Sequence, residues 1–241
     1  MTLPLTLALR LVRITWMRKI FFFLTLLALG LRFAASPAYS EELPKKFPFK
    51  KNDSLNEWEE KIFKNRVLYW VNDLPANGYL NAKSDKACSG LIYRMQFWPK
   101  QRPMISWSWK VMKFPDKSKA PVEGGWIEKD DYAARVYIIF PSWYFMHTET
   151  LEYVWDEKIP KETLQTSPYF DKIKIIVAES GKNKLGEWVF EERNIYEDYR
   201  KAFGKKAGRV GAIAIMTDTD NTMSTAEAAY KGLKVGYKNE K

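Results

Sequence analysis

The sequence predicts a mainly β protein, a β-sandwich or jelly roll with one clear helix packed on a sheet. About ten short segments rich in aromatic and β-branched residues follow one another, separated by turn residues. In residues 104–114 and 131–140, apolar residues recur at every second position, as they do along one face of a strand. The composition, 46% hydrophobic and 15% aromatic residues, excludes a disordered chain.

The strands are expected where these segments lie, each bounded by Gly, Pro, Asn, Asp or Ser. They are residues 66–72, 79–83, 89–97, 104–114, 131–140, 149–156, 172–178, 187–191, 210–216 and 233–237. Residues 56–63 precede them and are expected to form a short helix, with Leu55, Trp58 and Phe63 as its apolar residues.

The clear helix is expected at Ile195–Phe203. Asn194 is a good N-cap residue, and Glu197 stands at the third helical position, as in a capping box. Gly204 supplies the usual helix stop. A single helix among so many strands is expected to cross over one face of a sheet.

Residues 1–40 are predicted to be a secretory signal peptide. They contain five basic residues and no acidic one, and residues 20–31 form an uncharged, mostly apolar run. That run is shorter than the roughly 20 residues of a membrane span, but it has the length of a signal-peptide core. Residues 38–40 (AYS) fit a small-x-small cleavage site, with the mature chain starting at Glu41. An uncleaved anchor is the alternative.

The start of translation is either Met1 or Met17, since Met17 opens a more ordinary signal peptide. After the signal we expect a linker, 41–55, and a single β-sandwich domain, 56–241. The expected location is periplasmic or secreted, with no stable membrane span after cleavage.

The charge of the chain argues against nucleic acid as a partner. The formal net charge is +10, but half of it belongs to residues 1–40, which leaves +5 on the remaining 201 residues. An envelope polysaccharide or another envelope protein is the expected partner. One Cys excludes an internal disulfide, and one His excludes a multi-histidine metal site.

Arg135 stands in the middle of an apolar strand, where an unpaired charge would be costly. It is expected either to pair with a carboxylate such as Asp131 or Glu152, or to face a polar groove. The groove alternative makes Arg135, Tyr137, Trp155 and Asp131 the candidate ligand-binding residues. The aromatic pair at 107 and 109 shares a face with two aliphatic residues, which favours core packing over sugar stacking.

An oxygen-rich loop at residues 217–222 follows the most apolar strand and is a candidate calcium site. Its ligands would be Asp218, Asp220 and Asn221. It is not an EF-hand, since Met223 stands where that loop needs glycine and Ala229 where it needs glutamate. The alternative, which the sequence favours, is a turn whose side chains bond backbone N–H groups. No other cofactor is expected.

Five ordered segments resemble a bacterial exported family catalogued as domain of unknown function three-zero-four-seven. They are residues 106–115, 130–141, 151–156, 191–204 and 212–222, with a looser match at 226–235. The resemblance implies an exported single domain, a jelly roll similar to galactose-binding-like modules, and no assigned activity. It also favours a closing strand over the helix that local propensity predicts for residues 225–231.

Three functions are weighed, and a non-catalytic binding module of the cell envelope, with sugar as the default ligand, is favoured. A glycoside hydrolase would need two carboxylates, for which the candidates are Asp130, Asp131, Asp156, Glu191 and Glu192. A structural, partner-binding protein could present Trp126 in the loop 113–129. Ser-His-Asp chemistry is disfavoured because His147 is the only histidine and no G-x-S-x-G motif is present. Cys88 is expected to be a buried side chain.

Overall fold

The computed structural model describes residues 43–72, 78–101, 103–119 and 130–237. The predicted signal peptide, the expected mature start at Glu41 and Trp126 lie outside these residues. The elements are β1 (Lys45–Phe47), β2 (Glu59–Lys64), β3 (Leu68–Asn72), β4 (Tyr79–Asp85), β5 (Cys88–Phe97), β6 (Met104–Lys113), β7 (Arg135–Phe140), β8 (Glu149–Asp156), β9 (Leu164–Thr166), β10 (Ile173–Ser180), β11 (Val189–Asn194), α1 (Ile195–Phe203), β12 (Val210–Asp218) and β13 (Thr225–Gly236).

The strands form two sheets, as expected for a β-sandwich. Sheet A has the order β11-β6-β13-β4-β3, and β1 also pairs with β13. Sheet B has the order β2-β5-β12-β7-β8-β10-β9. All neighbours are antiparallel except β8 and β10, which run parallel. The prediction of a mainly β fold with one clear helix is confirmed.

The core lies between the sheets and is built largely from aromatic rings. Trp107 and Trp109 on β6 are buried and meet β8 across the sandwich. The ring centroids of Trp107 and Tyr153 are 5.3 Å apart, and those of Trp109 and Trp155 are 6.0 Å apart. The prediction that the two tryptophans of β6 pack in the core is confirmed.

Helix α1 has the predicted ends. The side chain of Asn194 accepts hydrogen bonds from the backbone N–H groups of Tyr196 and Glu197, both at 3.1 Å. Gly204 closes the helix with a φ of 68°, a left-handed conformation that glycine adopts without a steric penalty. No helix among the described residues is long and apolar enough to cross a membrane.

Two predictions at the N-terminal side are corrected. Residues 56–63 do not form a helix: a 3₁₀ turn occupies Asn52–Leu55, and β2 pairs with β5. Residues 45–47, inside the segment predicted as a linker, pair with β13 instead. In both cases the segment forms hydrogen bonds with the backbone of a neighbouring strand, β5 or β13. Local sequence propensity does not include such contacts with distant residues.

The closing segment is a strand, as the family resemblance indicated. β13 starts at Thr225, which is earlier than residue 233, and it pairs with both β4 and β6. The capping-box pattern of residues 224–227 is therefore overridden by the sheet, since β13 lies between two strands that satisfy its backbone groups.

The segment around Phe49 packs tightly on the start of β4. Phe47 and Phe49 are buried, with ring centroids 5.5 Å and 5.9 Å from that of Trp58. A Cβ added to Gly78 would lie 2.0 Å from the carbonyl oxygen of Phe49. Only glycine allows this close approach of two backbone segments.

We predict that Gly78→Ala lowers the free energy of unfolding by about 1–3 kcal/mol, because the added methyl group must displace the Phe49 backbone. The matched control is Gly208→Ala, where nothing lies within 4 Å of the added Cβ. It should be neutral or stabilising by up to about 1 kcal/mol. Urea denaturation of both variants measures the difference. Equal stability would show that residues 48–50 do not pack here.

Candidate functional site

Two concentrations of polar side chains, one buried and one exposed, bear on a ligand site; another, at β10 and β11, is joined by ion pairs of Lys161 with Glu179 and Glu191. The first is the Arg135 cluster, which consists of Asp130, Arg135, Tyr137, Glu152 and Asp218 at one end of sheet B. The second is the outer surface of sheet A, on the side away from the core. The side chains of the Arg135 cluster are buried, whereas several side chains on the outer surface of sheet A are exposed to solvent.

Arg135 begins β7 and is 1% exposed. Its Nε donates to Oδ1 of Asp218 at 2.9 Å, and its Nη2 donates to Oδ2 of the same carboxylate at 2.7 Å. Its Nη1 donates to Oε1 of Glu152 at 2.7 Å, and Nη2 also donates to the carbonyl oxygen of Asp130. The expected pairing with Glu152 is confirmed, whereas Asp131 is not a partner of Arg135. A bidentate contact of this kind is the strongest form of arginine–carboxylate pairing.

Asp131 instead holds the oxygen-rich loop in place. Its Oδ1 accepts hydrogen bonds from the backbone and side-chain N–H groups of Asn221 at 3.3 Å and 3.1 Å. Its Oδ2 accepts one from the backbone N–H of Thr222 at 2.6 Å. The hydroxyl of Tyr169 donates to Oδ1 of Asn221 at 3.0 Å. These contacts favour the turn over the calcium site.

The donor atoms near this loop suit calcium poorly. Ligand atoms of Cys88, Asp218 and Asp220 lie within 4.8 Å of one another. However, both oxygens of Asp218 already accept from Arg135, and Oδ1 also accepts from the backbone N–H of Tyr132 at 3.0 Å. Calcium takes six to eight oxygen ligands, and a buried thiol is not one of them. Cys88 is buried, as predicted.

All four predicted ligand-binding residues are buried. Arg135, Tyr137, Trp155 and Asp131 have exposed fractions of 2% or less, so they present no open surface to a ligand. Arg135 and Tyr137 are brought together, with Nη1 donating to the phenol oxygen at 3.2 Å. Trp155 lies on the core side, where its Nε1 donates to the carbonyl oxygen of Gly181 at 3.0 Å.

The carboxylates of the hydrolase alternative lie mostly in structural contacts. Asp156 accepts from Nζ of Lys117 at 3.0 Å and from the backbone N–H groups of Lys158 and Ile159 at 2.6 Å and 2.7 Å. Glu191 is buried on β11 near Lys161, and burial raises its pKa to about 7. Glu192 is exposed on the other face of β11.

Asp130 is the titratable group of the Arg135 cluster. Burial raises its pKa to about 8; Arg135 opposes this shift, while Glu152 and Asp131 add to it. Its Oδ1 is buried without a hydrogen-bond partner among the described residues, and lies 3.9 Å from Nη1 of Arg135. Burial also raises the pKa values of Asp218 and Glu152, and Arg135 opposes both shifts through direct hydrogen bonds to their oxygens. These bonds favour the charged forms of Asp218 and Glu152, so the proton of the cluster is assigned to Asp130.

The outer surface of sheet A, in contrast, is accessible and rich in aromatic rings. Along each strand alternate side chains point away from the core. We call the following residues the aromatic face: Trp70 on β3, Tyr79 and Asn81 on β4, Lys110 on β6, Trp188 and Phe190 at β11, and Lys231 on β13. Trp70 is 40% exposed and Phe190 is 63% exposed.

Trp188 lies at the centre of the aromatic face. Nζ of Lys231 is 4.2 Å from its ring centroid, and Nζ of Lys110 is 4.9 Å away. The ring of Tyr79 meets it edge-on, with centroids 5.4 Å apart. Ala229 is completely buried although it points to the outer surface. The small side chain of Ala229 leaves room for the larger side chains above the middle of the sheet.

Asn81 is next to this centre. The register places it beside Ala229 on one side and Trp70 on the other. It is 8% exposed, and its Nδ2 has no hydrogen-bond partner among the described residues. A buried amide without a partner costs about 1–3 kcal/mol.

One pattern in the sequence indicates part of the aromatic face. Trp188 and Phe190 alternate with Val189 and Glu191, a pattern that places both rings on one side of a strand. Which side is exposed depends on pairing with β6, and the sequence does not give this pairing.

We predict that Asp218→Asn lowers the free energy of unfolding by about 3–5 kcal/mol, because it leaves the buried Arg135 charge without its main partner. The control is Glu227→Gln, which removes the partly exposed pair with Lys83 and should cost less than about 1 kcal/mol. Chemical denaturation compares them. Equal small losses would contradict the importance assigned to the buried pair.

We also predict a pH dependence due to Asp130. An unfolded aspartate titrates near about pH 4, whereas the folded pKa is about 8. Between these values the folded state retains a proton that the unfolded state has lost, so the free energy of unfolding falls as pH rises through this window. Asp130→Asn should match the wild type near pH 4 and be more stable by at least about 1.4 kcal/mol at pH 8. Parallel stability curves for the two proteins would refute this assignment.

Several solved structures resemble the chain in shape. The family 11 carbohydrate-binding module of the cellulosomal cellulase Lic26A-Cel5E of Clostridium thermocellum matches at 11% identity over 84% of this chain and 99% of its own, with a TM-score of 0.45. The glycoside hydrolase domain of Spr0440, Endo-D, from Streptococcus pneumoniae R6 matches at 9% identity over 76% of this chain and 22% of its own, with a TM-score of 0.39. The xyloglucanase domain of NopAA, a type three effector from Sinorhizobium fredii, matches at 11% identity over 75% of this chain and 91% of its own, with a TM-score of 0.41. Identities of 9–11% do not indicate a shared ligand or activity.

No curated protein matches the chain. A family model, in contrast, matches residues 56–234, which run from just before β2 into β13 and include α1. The match covers the segments from which the family resemblance was inferred. The chain belongs to the family described as Protein of unknown function (DUF3047).

Proposed function

We propose that this protein is a non-catalytic binding module of the cell envelope that holds a glycan on its aromatic face. The observation that carries the proposal is the set of partly exposed rings around Trp188, flanked by two lysines. We further propose that the protein acts in the periplasm or outside the cell, as the predicted signal peptide suggests.

The rings offer what a sugar needs for stacking. Trp70 and Trp188 are neither fully buried nor fully exposed, so each ring keeps contact with the sheet and leaves part of its surface to solvent. Aromatic rings held in this way bury large apolar area on binding, while nearby polar groups fix the orientation of the ligand. Five strands spaced about 4.8 Å apart give the face a width of about 19 Å, enough for several sugar rings.

The polar groups support a glycan that carries negative charge. Nζ of Lys110 and Nζ of Lys231 both lie within 5 Å of the Trp188 ring centroid. Ammonium groups attract carboxylate or sulfate substituents. An acidic envelope polysaccharide is therefore the proposed ligand class.

The same residues support binding rather than hydrolysis. Glycoside hydrolases use two carboxyl groups on either side of the scissile bond. No carboxylate is among the residues of the aromatic face; on the same side of sheet A, Glu192 lies two positions beyond Phe190, and Glu227 is paired with Lys83 at 2.6 Å. Asp131 and Asp156 are occupied in holding loops, and Asp130 is buried.

The test is calorimetric titration of the protein with polygalacturonate, an acidic polymer, and with a neutral β-glucan. We expect tighter binding to the acidic polymer. Trp188→Ala should weaken binding by about tenfold or more, since a buried aromatic side chain contributes about 1.5–3 kcal/mol. Lys110→Ala with Lys231→Ala should reduce binding of the acidic polymer and leave any neutral binding unchanged.

The matched control is Trp98→Ala, which removes a tryptophan that is 59% exposed but is not part of the aromatic face. It should bind as the wild type does. All variants must keep the wild-type melting temperature. Unchanged binding by Trp188→Ala together with loss in Trp98→Ala would place the ligand elsewhere and overturn the proposal.

A further inference from the structure

Three connections come together at one end of sheet B. β5 ends at Phe97, which pairs with Val210 at the start of β12. β7 ends nearby, because Ile139 pairs with Ala212. The segments 98–101, 141–148 and 204–209 therefore emerge at the same end of the sandwich, and we call them together the basic end.

The basic end exposes three large aromatic side chains. Trp143 is 95% exposed, Trp98 is 59% exposed and Tyr144 is 55% exposed. Trp143 is exposed on nearly all sides, whereas Trp70 is 40% exposed and packs against the sheet. A ring that stacks on a sugar keeps one face packed against the protein. A ring that is exposed on all sides is suited to insertion into a lipid headgroup layer. Tryptophan and tyrosine favour the interface between water and lipid because each has an apolar ring and a polar N–H or O–H group.

The charge of the basic end has one sign. The residues of its three segments include Lys100, Lys205, Lys206 and Arg209, and none of these residues is acidic. The adjoining last turn of α1 adds Arg200 and Lys201. Nζ of Lys205 is 2.8 Å from Oε1 of Glu149, and Nη1 of Arg200 is 3.6 Å from Oε2 of Glu197. Lys206 remains exposed.

We propose that the basic end docks on the surface of an anionic lipid bilayer. Trp98, Trp143 and Tyr144 would enter the headgroup layer, and Lys206 with Arg209 would lie over the anionic headgroups. Clustered basic residues next to exposed aromatic side chains bind such surfaces reversibly, through electrostatic attraction and shallow insertion. This inference does not depend on the proposed glycan site, which lies on a different surface.

The chain allows a local reporter for this docking. Cys88 is its one cysteine and is buried, so a second cysteine is the only accessible thiol. Ser142→Cys places an environment-sensitive dye next to Trp143. Asn183→Cys is the matched control, because residues 181–187 follow β10, which runs parallel to β8 and so ends at the opposite end of sheet B. Both labels are placed in the full chain, so any attachment through residues 1–40 is the same in both proteins.

The experiment adds vesicles of phosphatidylcholine alone, or with one third phosphatidylglycerol, to each labelled protein. We expect the dye at residue 142 to shift to the blue with the anionic vesicles only, and the dye at residue 183 to stay unchanged. The shift should disappear near 1 M salt, where the screening length is about 3 Å. It should also fall at least several-fold in Trp98→Ala with Trp143→Ala, and in Lys206→Glu with Arg209→Glu.

Three results would overturn the proposal. The first is no response of the dye at residue 142, and the second is an equal response at residues 142 and 183. The third is a response to a soluble acidic polysaccharide without a response to vesicles, which would make the basic end a glycan contact. A negative result in this experiment would not count against the glycan site, since none of these variants changes a residue of the aromatic face.

Discussion

The burial of the Arg135 guanidinium is the constraint on which the rest of this end of the sandwich depends. A charge with 1% exposure requires carboxylates at hydrogen-bond distance, and they come from β8 and from the end of β12. The hydroxyl of Tyr230, on sheet A, accepts from the backbone N–H of Arg135 at 3.2 Å and donates to the carbonyl oxygen of Met216 at 2.8 Å. The ion pairs and this phenol therefore join four strands, β7, β8, β12 and β13, and connect the two sheets. They also fix where the loop before β7 ends and where the loop after β12 begins.

This arrangement makes the two outer surfaces of the sandwich unequal. On the central strands of sheet B, side chains that alternate with the core residues are themselves buried, as Tyr137 and Ala214 are. On sheet A, the corresponding positions carry Trp70, Phe190 and their polar neighbours, which remain accessible. The buried polar residues of the Arg135 cluster thus stabilise the fold, whereas the aromatic face is open to solvent. The proposed function follows from this difference in exposure rather than from any single motif.

The sequence predicted well what is decided locally. The ends of α1 follow from Asn194 and Gly204, and the alternation of β6 placed its tryptophans in the core. It could not predict what depends on distant partners. Asp218 meets Arg135 across 83 positions, so the same residues could be assigned to a groove, to calcium or to an ion pair. The aromatic face joins side chains from five strands, and its members become neighbours only through the register of sheet A. The short edge strands β1 and β9 have too few residues to show a period.

The most direct test of the glycan-binding claim is to follow the indole N–H signals of the tryptophans by NMR while an acidic oligosaccharide is added. Trp70 and Trp188 are on the aromatic face, Trp107 and Trp109 are in the core, and Trp143 is on the basic end. The account predicts saturable shifts for Trp70 and Trp188 and none for the two core tryptophans. Shifts confined to Trp143, or no shifts at any tryptophan, would contradict it.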